Sequence, residues 1–133
     1  MILLDTHAML WMANNDPSLG RHSHSIIQKA RDAGELAFSA ISFWEISLLA
    51  AKGRLELLQP SAELRAELLG TGVSELPLTG EIAIEAVGLE TLHGDPADRF
   101  IVATAIIHDA TLVTADRPLL RWKNKLTRQD AAK

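Results

Sequence analysis

The sequence predicts an α/β fold in which a central parallel sheet of four to five strands carries helices on both faces. Apolar segments of three to four residues, too short to be helices, alternate along the chain with longer segments of helical character. Glycine and proline residues separate these segments, and no internal repeat or linker interrupts them. With 133 residues, 47% of them hydrophobic, the chain suits one compact domain, predicted at residues 1–133.

The first segment, residues 1–4, is a run of large apolar residues that leads directly into Asp5. We expect a buried strand whose carboxyl end brings Asp5 to the edge of the sheet. Parallel α/β sheets bind their ligands at that edge, outside the carboxyl ends of the strands. Asp5 taken alone is better explained as the N-cap of the following helix.

The first half of the chain continues with three predicted helices and one strand. Gly34 and Gly53 are the expected C-terminal stops of the second and third helices. Ser39 and Ser42 are both candidate N-caps of the third helix. The predicted elements are a helix at residues 8–13, a helix at 18–31, a strand at 36–38 and a helix through Glu45 to Lys52.

The second half alternates helices and strands in the same way. Thr79 and Asp95 are the candidate N-caps of its two central helices. The predicted elements are a helix at residues 61–69, a strand at 73–76, helices at 81–87 and 97–108, a strand at 111–114 and a short helix at 118–122. No clear apolar run follows Trp122, so a fifth strand near Leu126 is only weakly marked.

The net charge of −4 gives no indication of nucleic-acid binding, but the charges are unevenly distributed. Residues 1–116 contain 7 Lys and Arg against 16 Asp and Glu, whereas residues 117–133 contain 6 against 1. A basic segment that follows an acidic body can attract a polyanion, although such segments are also found simply solvated.

The absence of cysteine excludes a disulfide framework and a thiolate zinc site, and it fits a cytoplasmic protein. The N-terminus lacks the basic residues that begin a signal peptide. The longest apolar run, residues 100–107, is far shorter than the ~20 residues of a membrane span. We therefore expect no membrane association.

Three later acids each have a local explanation. Glu45 follows Ser42 at the spacing of a capping box, Asp98 complements the dipole in the first turn of a helix, and Asp116 precedes a turn. The neighbours of Glu45 are nonetheless large apolar residues, and a carboxylate buried among such groups needs a cation or hydrogen-bond donors.

The four acids are more informative together. In a parallel sheet the strand ends bring Asp5 and Asp116 to one edge, and the first turns of two helices place Glu45 and Asp98 beside it. Four carboxylates in one place repel one another and raise each other's pKa. A divalent cation relieves this repulsion, and ligation by oxygen alone selects Mg²⁺ or Mn²⁺ over zinc.

These residues together resemble the PIN domain family, and within it the VapC-like toxins of bacterial type II toxin–antitoxin modules. The resemblance covers essentially the whole chain. Any single motif is a weak signal, whereas four acids in the family's order, each within its own motif, form a specific one. The matching pieces are Leu4-Asp5-Thr6-His7 and residues 39–46, 93–100 and 112–116.

The resemblance implies a three-layer α/β/α fold and cleavage of RNA that depends on Mg²⁺ or Mn²⁺. Family members cut phosphodiesters with water and leave a 5′-phosphate and a 3′-hydroxyl. The matching residues are Asp5, Glu45, Asp98 and Asp116 in the family's catalytic and metal-binding quartet, and Thr114 and Thr6 in supporting positions.

The resemblance also implies partners, namely an RNA substrate, a second copy of the chain in a homodimer, and a cognate antitoxin protein that covers the site. An antitoxin peptide would need an apolar groove, but each apolar candidate is also a plausible core residue. The candidates are Trp11, Phe43, Trp44 and Leu48.

The chain offers several groups for contact with a substrate. His7 and His93 fall near the predicted edge of the sheet. Basic side chains that contact phosphates would make binding weaken with salt. The candidates are Arg99, Arg117, Arg121, Lys123 and Lys125.

Three other functions were weighed against a ribonuclease. A receiver-like signalling domain also gathers acids and Mg²⁺, but it needs a lysine late in the sheet, where this chain has Thr114-Ala115-Asp116. A non-catalytic PIN-like module that binds RNA or protein and a DNA nuclease of similar chemistry both stay open, because an acid cluster does not distinguish the sugars.

Overall fold

The computed structural model describes all residues, 1–133. Its strands are β1 (Ile2–Leu4), β2 (Leu36–Ser39), β3 (Ser74–Leu76), β4 (Thr111–Thr114) and β5 (Arg128–Asp130). Its helices are α1 (Thr6–Ala13), α2 (Arg21–Asp32), α3 (Ala40–Ala51), α4 (Ser61–Gly70), α5 (Gly80–Val87), α6 (Pro96–Ile107) and α7 (Arg117–Arg121). The strands form one sheet in the order β3-β2-β1-β4-β5, and every neighbouring pair is parallel.

Strand β1 lies at the centre of the sheet and divides the apolar side chains between two cores. Leu3 lies beside Ala37 and Leu112 in the strand register, and all three belong to the core on one face. Leu4 and its register partners belong to the core on the opposite face. Side chains that alternate along a strand bury both faces in this way.

Helices cover both faces of the sheet, which confirms the predicted three-layer α/β/α architecture. Helices α5, α6 and α7 place buried residues in the core that contains Leu3. Helices α1, α2, α3 and α4 do the same in the core that contains Leu4. Each helix thus removes an apolar stripe from water against a different part of one sheet.

The helix termini agree with the sequence in part. Thr79 and Asp95 are N-caps as predicted, since their side chains accept hydrogen bonds from the backbone N–H groups of Ile82 and Asp98 at 3.2 Å each. Helix α2 begins at Arg21, three residues later than predicted, and Gly20 is its N-cap. Local propensity does not fix such ends, because the tertiary contacts of residues 18–20 compete with the helix.

The fifth strand exists, but the prediction that it lies near Leu126 was wrong by about two residues. Leu126 is buried in the core with Leu3 just before the strand begins. Strand β5 itself is polar and is placed by parallel pairing with β4, with Asp130 beside Thr114. An edge strand held by backbone pairing leaves no apolar run in the sequence.

Gly20 marks a close approach between helix α2 and the C-terminal segment. The backbone N–H of Gly20 donates to the carbonyl of Ala131 at 2.8 Å, and that of His22 donates to the carbonyl of Lys133 at 2.9 Å. A Cβ atom at Gly20 would lie 2.1 Å from the backbone carbonyl carbon of Lys133. The glycine is therefore required by space, because backbone on both sides leaves no room for a methyl group.

None of the helices combines the length and the apolar character that crossing a membrane requires.

We expect Gly20→Ala to lower the free energy of unfolding by about 1–3 kcal/mol, because the new methyl group overlaps backbone that must move aside. Urea denaturation of the variant and the wild type measures the difference. Gly70→Ala is the matched control, since a Cβ there meets nothing within 4 Å. A Gly20 variant as stable as the Gly70 variant would show that the C-terminal segment is not docked on α2.

Candidate functional site

A cleft of about 380 Å³ lies at the edge of the sheet where the carboxyl ends of β1 and β4 meet the second turn of α3 and the first turn of α6. It brings together all four acids that the sequence singled out. The residues that line it are Asp5, His7, Trp11, Glu45, Asp95, Asp98, Ala115 and Asp116. Eight residues from distant parts of the chain meet there because parallel strands share one carboxyl edge.

Asp5 forms the buried floor of this cleft, with 5% of its surface exposed. Its Oδ1 accepts a hydrogen bond from the Ala8 N–H at 2.8 Å, so the predicted capping role is present as well. Burial raises the pKa of Asp5, while hydrogen bonds from the Thr114 side chain and the Ala8 backbone oppose that rise. Capping α1 fixes the carboxylate in place without removing it from the cleft.

Thr114, at the end of β4, organises the second strand end. Its buried hydroxyl accepts a hydrogen bond from the Asp116 N–H at 3.0 Å, and the same side chain bonds the carboxylate of Asp5. Asp116 in turn caps α7, where its Oδ2 accepts from the Leu119 N–H at 3.2 Å. Thr114 thus joins the two acids that follow the central strands.

Asp98 carries a large electrostatic cost. Burial and, to a smaller extent, repulsion from Asp95, Asp116, Glu45 and Asp5 together raise its pKa to about 8. Asp95 is a fifth carboxylate that the sequence assigned only to capping α6. Its i, i+3 spacing from Asp98 on one helix was the signal for their proximity.

Glu45 points its carboxylate toward these acids and does not take part in a capping box. The N-cap of α3 is Ser39, which accepts from the Ile41 N–H, whereas Ser42 is buried and accepts a hydrogen bond from the Thr6 hydroxyl at 3.0 Å. The Thr6–Ser42 bond ties α1 to α3 beneath the cleft. Glu45 itself makes no ion pair.

His93 is placed more deeply in the site than the sequence indicated. Its Nε2 atom is buried and lies 3.4 Å from Asp98 Oδ2 and 3.5 Å from Asp116 Oδ2, too far for a strong hydrogen bond. Its Nδ1 atom accepts from the Asp95 N–H at 3.3 Å, which puts the proton of a neutral ring on Nε2. The imidazole therefore directs an N–H group between two carboxylates.

The donor set fits a hard divalent cation. Carboxylate oxygens of Glu45, Asp95 and Asp98 lie within 4.8 Å of one another, and so do oxygens of Asp98 and Asp116. Asp98 belongs to both groups. Carboxylate oxygens are the preferred ligands of Mg²⁺ and Mn²⁺, and the raised pKa of Asp98 shows that these oxygens lack a compensating positive charge.

Arg99 does not face the cleft, which corrects its assignment as a phosphate contact. Its guanidinium donates hydrogen bonds to five backbone carbonyls at 2.9–3.2 Å, those of Ala86, Val87, Leu89, Leu92 and His93. All five guanidinium hydrogens are thereby used by carbonyls of the end of α5 and the loop that follows it, and none is left for a substrate. The residue holds in place the loop that carries His93.

The other candidate contacts lie at the surface, and all but Lys125, which lies beside the C-terminal end of α6, are near the cleft. His7 is exposed on its wall, and Arg117 is exposed beside Asp116 with its guanidinium 3.4 Å from Asp130 Oδ2. Lys123 and Lys125 are exposed after α7. Among the apolar candidates, Trp44 is 51% exposed, whereas Phe43 packs edge-on against Phe38.

Comparison with known proteins identifies the family. The model of the PIN domain family matches residues 2–124. Ribonuclease VapC22 of Mycobacterium tuberculosis is 39% identical over 119 residues, which cover 89% of this chain and 88% of the relative. The chain therefore belongs to the PIN domain family. Within that family it is similar to the VapC proteins.

Solved structures support the same fold. VapBC2 from Rickettsia felis, solved bound to a DNA fragment from its promoter, matches 97% of this chain and 98% of its own with a TM-score of 0.69 at 19% identity. FitAcB from Neisseria gonorrhoeae matches 98% of both chains with a TM-score of 0.65 at 21% identity. At this identity the likeness establishes the architecture of the chain.

The raised pKa of Asp98 predicts an unusual pH dependence for the metal-free protein. Between the ordinary value of 3.8 and about 8, the folded protein keeps a proton that the unfolded chain releases, so stability falls as pH rises through this range. Asp98→Asn should flatten this profile and raise the unfolding free energy at neutral pH by about 1–3 kcal/mol. Thermal denaturation in EDTA across this range measures both effects.

The control for this measurement is Asp109→Asn, which removes an exposed acid outside the cleft. Asn also tolerates the positive φ of 51° at that position. If both variants shift stability equally at every pH, general charge reduction explains the result and the acids of the cleft do not repel as described.

Arg99→Gln should destabilise the protein by about 1–3 kcal/mol, because several partly buried carbonyls lose a charged donor. We expect the backbone amides of residues 88–95 to exchange hydrogen selectively faster, since three of the carbonyls that accept from Arg99 lie in this segment. Arg54→Gln, at an exposed position shortly after the end of α3, serves as the comparison. Uniformly faster exchange throughout the chain, without a local excess in residues 88–95, would contradict this role for Arg99.

Proposed function

We propose that this protein is a metal-dependent endoribonuclease and the toxin of a toxin–antitoxin module. The observation that carries the proposal is the cleft in which five carboxylates converge and the pKa of Asp98 rises to about 8. Such a site is unfavourable by itself and becomes favourable around a divalent cation. The 39% identity to a protein named a ribonuclease supports RNA as the substrate.

The residues proposed to hold Mg²⁺ or Mn²⁺ are Asp5, Glu45, Asp98 and Asp116. When bound, a divalent cation lowers the pKa of water and stabilises charge on a phosphoryl group. The chain has no cysteine, and no serine–histidine hydrogen bond lies in the cleft, so water is the proposed nucleophile. The expected products are a 5′-phosphate and a 3′-hydroxyl.

The protein's own contribution is to position these groups before a substrate arrives. The Ala8 N–H and Thr114 fix Asp5, and Thr114 also fixes the backbone of Asp116. The Thr6–Ser42 hydrogen bond sets α3, which carries Glu45, against α1. Rigid placement of this kind avoids reorganisation during the reaction, which is a large part of electrostatic catalysis.

An antitoxin partner and a homodimer belong to the proposal. Structures of toxin–antitoxin complexes match this chain, which supports a protein partner that covers the cleft. Trp11 lines the cleft and Trp44 is half exposed on α3, where an apolar segment of a partner could be received. On α5, Ile84 and Val87 are 78% and 82% exposed and suit the apolar contact of a homodimer. We propose a cytoplasmic location, where cellular RNA is present.

The test is cleavage of total cellular RNA by the antitoxin-free protein in Mg²⁺ or Mn²⁺, with EDTA as the reference. We expect cutting with metal only, and a loss of about 100-fold or more in Asp98→Asn, because a metal ligand stabilises the transition state by several kcal/mol. Asp109→Asn should cut at the wild-type rate. Mapping the ends of the RNA fragments identifies the bond that is cleaved.

Three results would count against the proposal. Cutting that persists in EDTA would exclude a metal-dependent reaction, and undiminished cutting by the Asp98 variant would exclude its role. Folded protein that neither binds Mn²⁺ nor cuts RNA would instead indicate a non-catalytic member of the family. Faster cutting of single-stranded DNA than of RNA would reassign the substrate.

A further inference from the structure

A second groove, of about 790 Å³, lies beside the acidic cleft on the side of α7. We call it the basic groove. It is lined by Thr91, Leu92, His93, Pro118, Arg121, Trp122 and Lys123. The ring of His93 forms the wall between the two, since it lines the groove while its Nε2 atom lies within 3.5 Å of carboxylates of the cleft.

The charge of this groove is opposite to that of the cleft. Arg121 and Lys123 are exposed, form no ion pair, and have no carboxylate among the groove's lining residues. They belong to residues 117–133, which contain 6 Lys and Arg but only 1 Asp. Cations without a partner inside a groove attract an anionic ligand, because no neighbouring carboxylate neutralises them.

Burial and hydrogen bonds fix the floor of the basic groove in place. Trp122 is 5% exposed, and its indole N–H donates to the Glu90 carbonyl at 3.0 Å and to the Thr91 hydroxyl at 3.1 Å. The Leu92 carbonyl accepts from Arg99 at 3.0 Å. A ligand would therefore meet a preformed surface and lose little binding energy to ordering it.

The acidic cleft cannot supply the affinity for a polyanion. Its lining residues include five carboxylates, which repel phosphates, and its basic neighbour Arg117 lies 3.4 Å from Asp130. Affinity for a nucleic-acid backbone comes mainly from Lys and Arg that replace counterions. Those cations must lie close to the cleft but outside it.

We propose that the basic groove binds the sugar–phosphate backbone of the nucleotides next to the scissile bond, with Arg121 and Lys123 as the phosphate contacts. The inference rests on the proposed ribonuclease function and adds the path of the substrate. The strand leaves the cleft past His93 and continues along Trp122. Nucleotides on only one side of the scissile bond then contact the groove.

A cavity on the opposite flank of the cleft, beyond Trp11, is the alternative path. It has about 390 Å³ and also contains cations, namely Arg21 and Arg31. Asp16 lines it as well, however, and Arg31 donates to the Gln28 side chain at 2.8 Å. Its cations are partly compensated, so we assign the strand to the basic groove.

The test compares two double variants of equal charge change. Arg121→Gln with Lys123→Gln removes the groove cations, and Lys29→Gln with Lys52→Gln removes exposed cations of α2 and the end of α3 in the other helical layer. The probe is a short fluorescein-labelled single-stranded RNA of mixed sequence, followed by anisotropy. Ca²⁺ replaces Mg²⁺ so that binding is observed apart from cleavage, since Ca²⁺ accepts oxygen ligands with looser geometry.

We expect the groove variant to bind about 10-fold more weakly and its dependence of log K on log salt to fall by about 1.4, because each lost contact to a single strand removes about 0.7. The control variant should bind like wild type. Equal losses in both variants would show a general charge effect and overturn the groove. Loss only in an Arg21→Gln, Arg31→Gln variant would move the path to the opposite flank.

A second measurement separates this inference from the proposed function. On an RNA that the wild type cuts, the groove variant should raise KM about 10-fold and leave kcat within about 2-fold, because substrate contacts away from the reacting bond affect binding. If the wild type cuts the RNA and the groove variant has the same KM, the proposed role of the groove is refuted and the ribonuclease function is not. If the wild type binds the RNA through the groove but never cuts it, the ribonuclease function is refuted and the role of the groove is not.

Discussion

Repulsion between the carboxylates at one edge of the sheet is the constraint on which the rest of this structure depends. Burial raises the cost of ionising Asp98, and the neighbouring carboxylates of Asp95, Asp116, Glu45 and Asp5 raise it further. They stay together because each sits on an element fixed elsewhere. The Asp5 N–H donates to the Val113 carbonyl at 3.0 Å, so strand pairing itself sets the distance between the two strand ends. This arrangement provides a favourable site for a cation and lowers the stability of the metal-free protein.

Side-chain hydrogen bonds from two directions hold the loop before α6. Arg99 bonds the carbonyls of the α5–α6 connection from below, and Trp122 bonds two of its groups from the side of α7. These contacts explain how an irregular segment keeps His93 at a fixed place between two acids. Residues of the same loop line both the basic groove and the acidic cleft, so that a change in the loop affects both.

The uneven charge of the chain finds a structural reason in this arrangement. The acids that matter lie before residue 117 and converge in the cleft, whereas the cations of α7 and the segment after it lie on the adjoining surface. A polyanion is thus attracted beside the cleft and not into it. A phosphate approaches the acids favourably only when a cation occupies the cleft.

The sequence alone determined the parallel α/β class, most element positions and the convergence of Asp5, Glu45, Asp98 and Asp116, because alternating apolar runs and strand-end acids are local signals. Tertiary structure decided what local signals leave open. Strand β5 is made by backbone pairing of polar residues. Ser42 lies inside α3, which Ser39 caps, and its hydroxyl accepts a hydrogen bond from Thr6. Arg99 donates to five carbonyls instead of a substrate. Asp95 and His93 join the site through the path of a loop. Such placements depend on contacts between residues far apart in the chain, which no window of sequence contains.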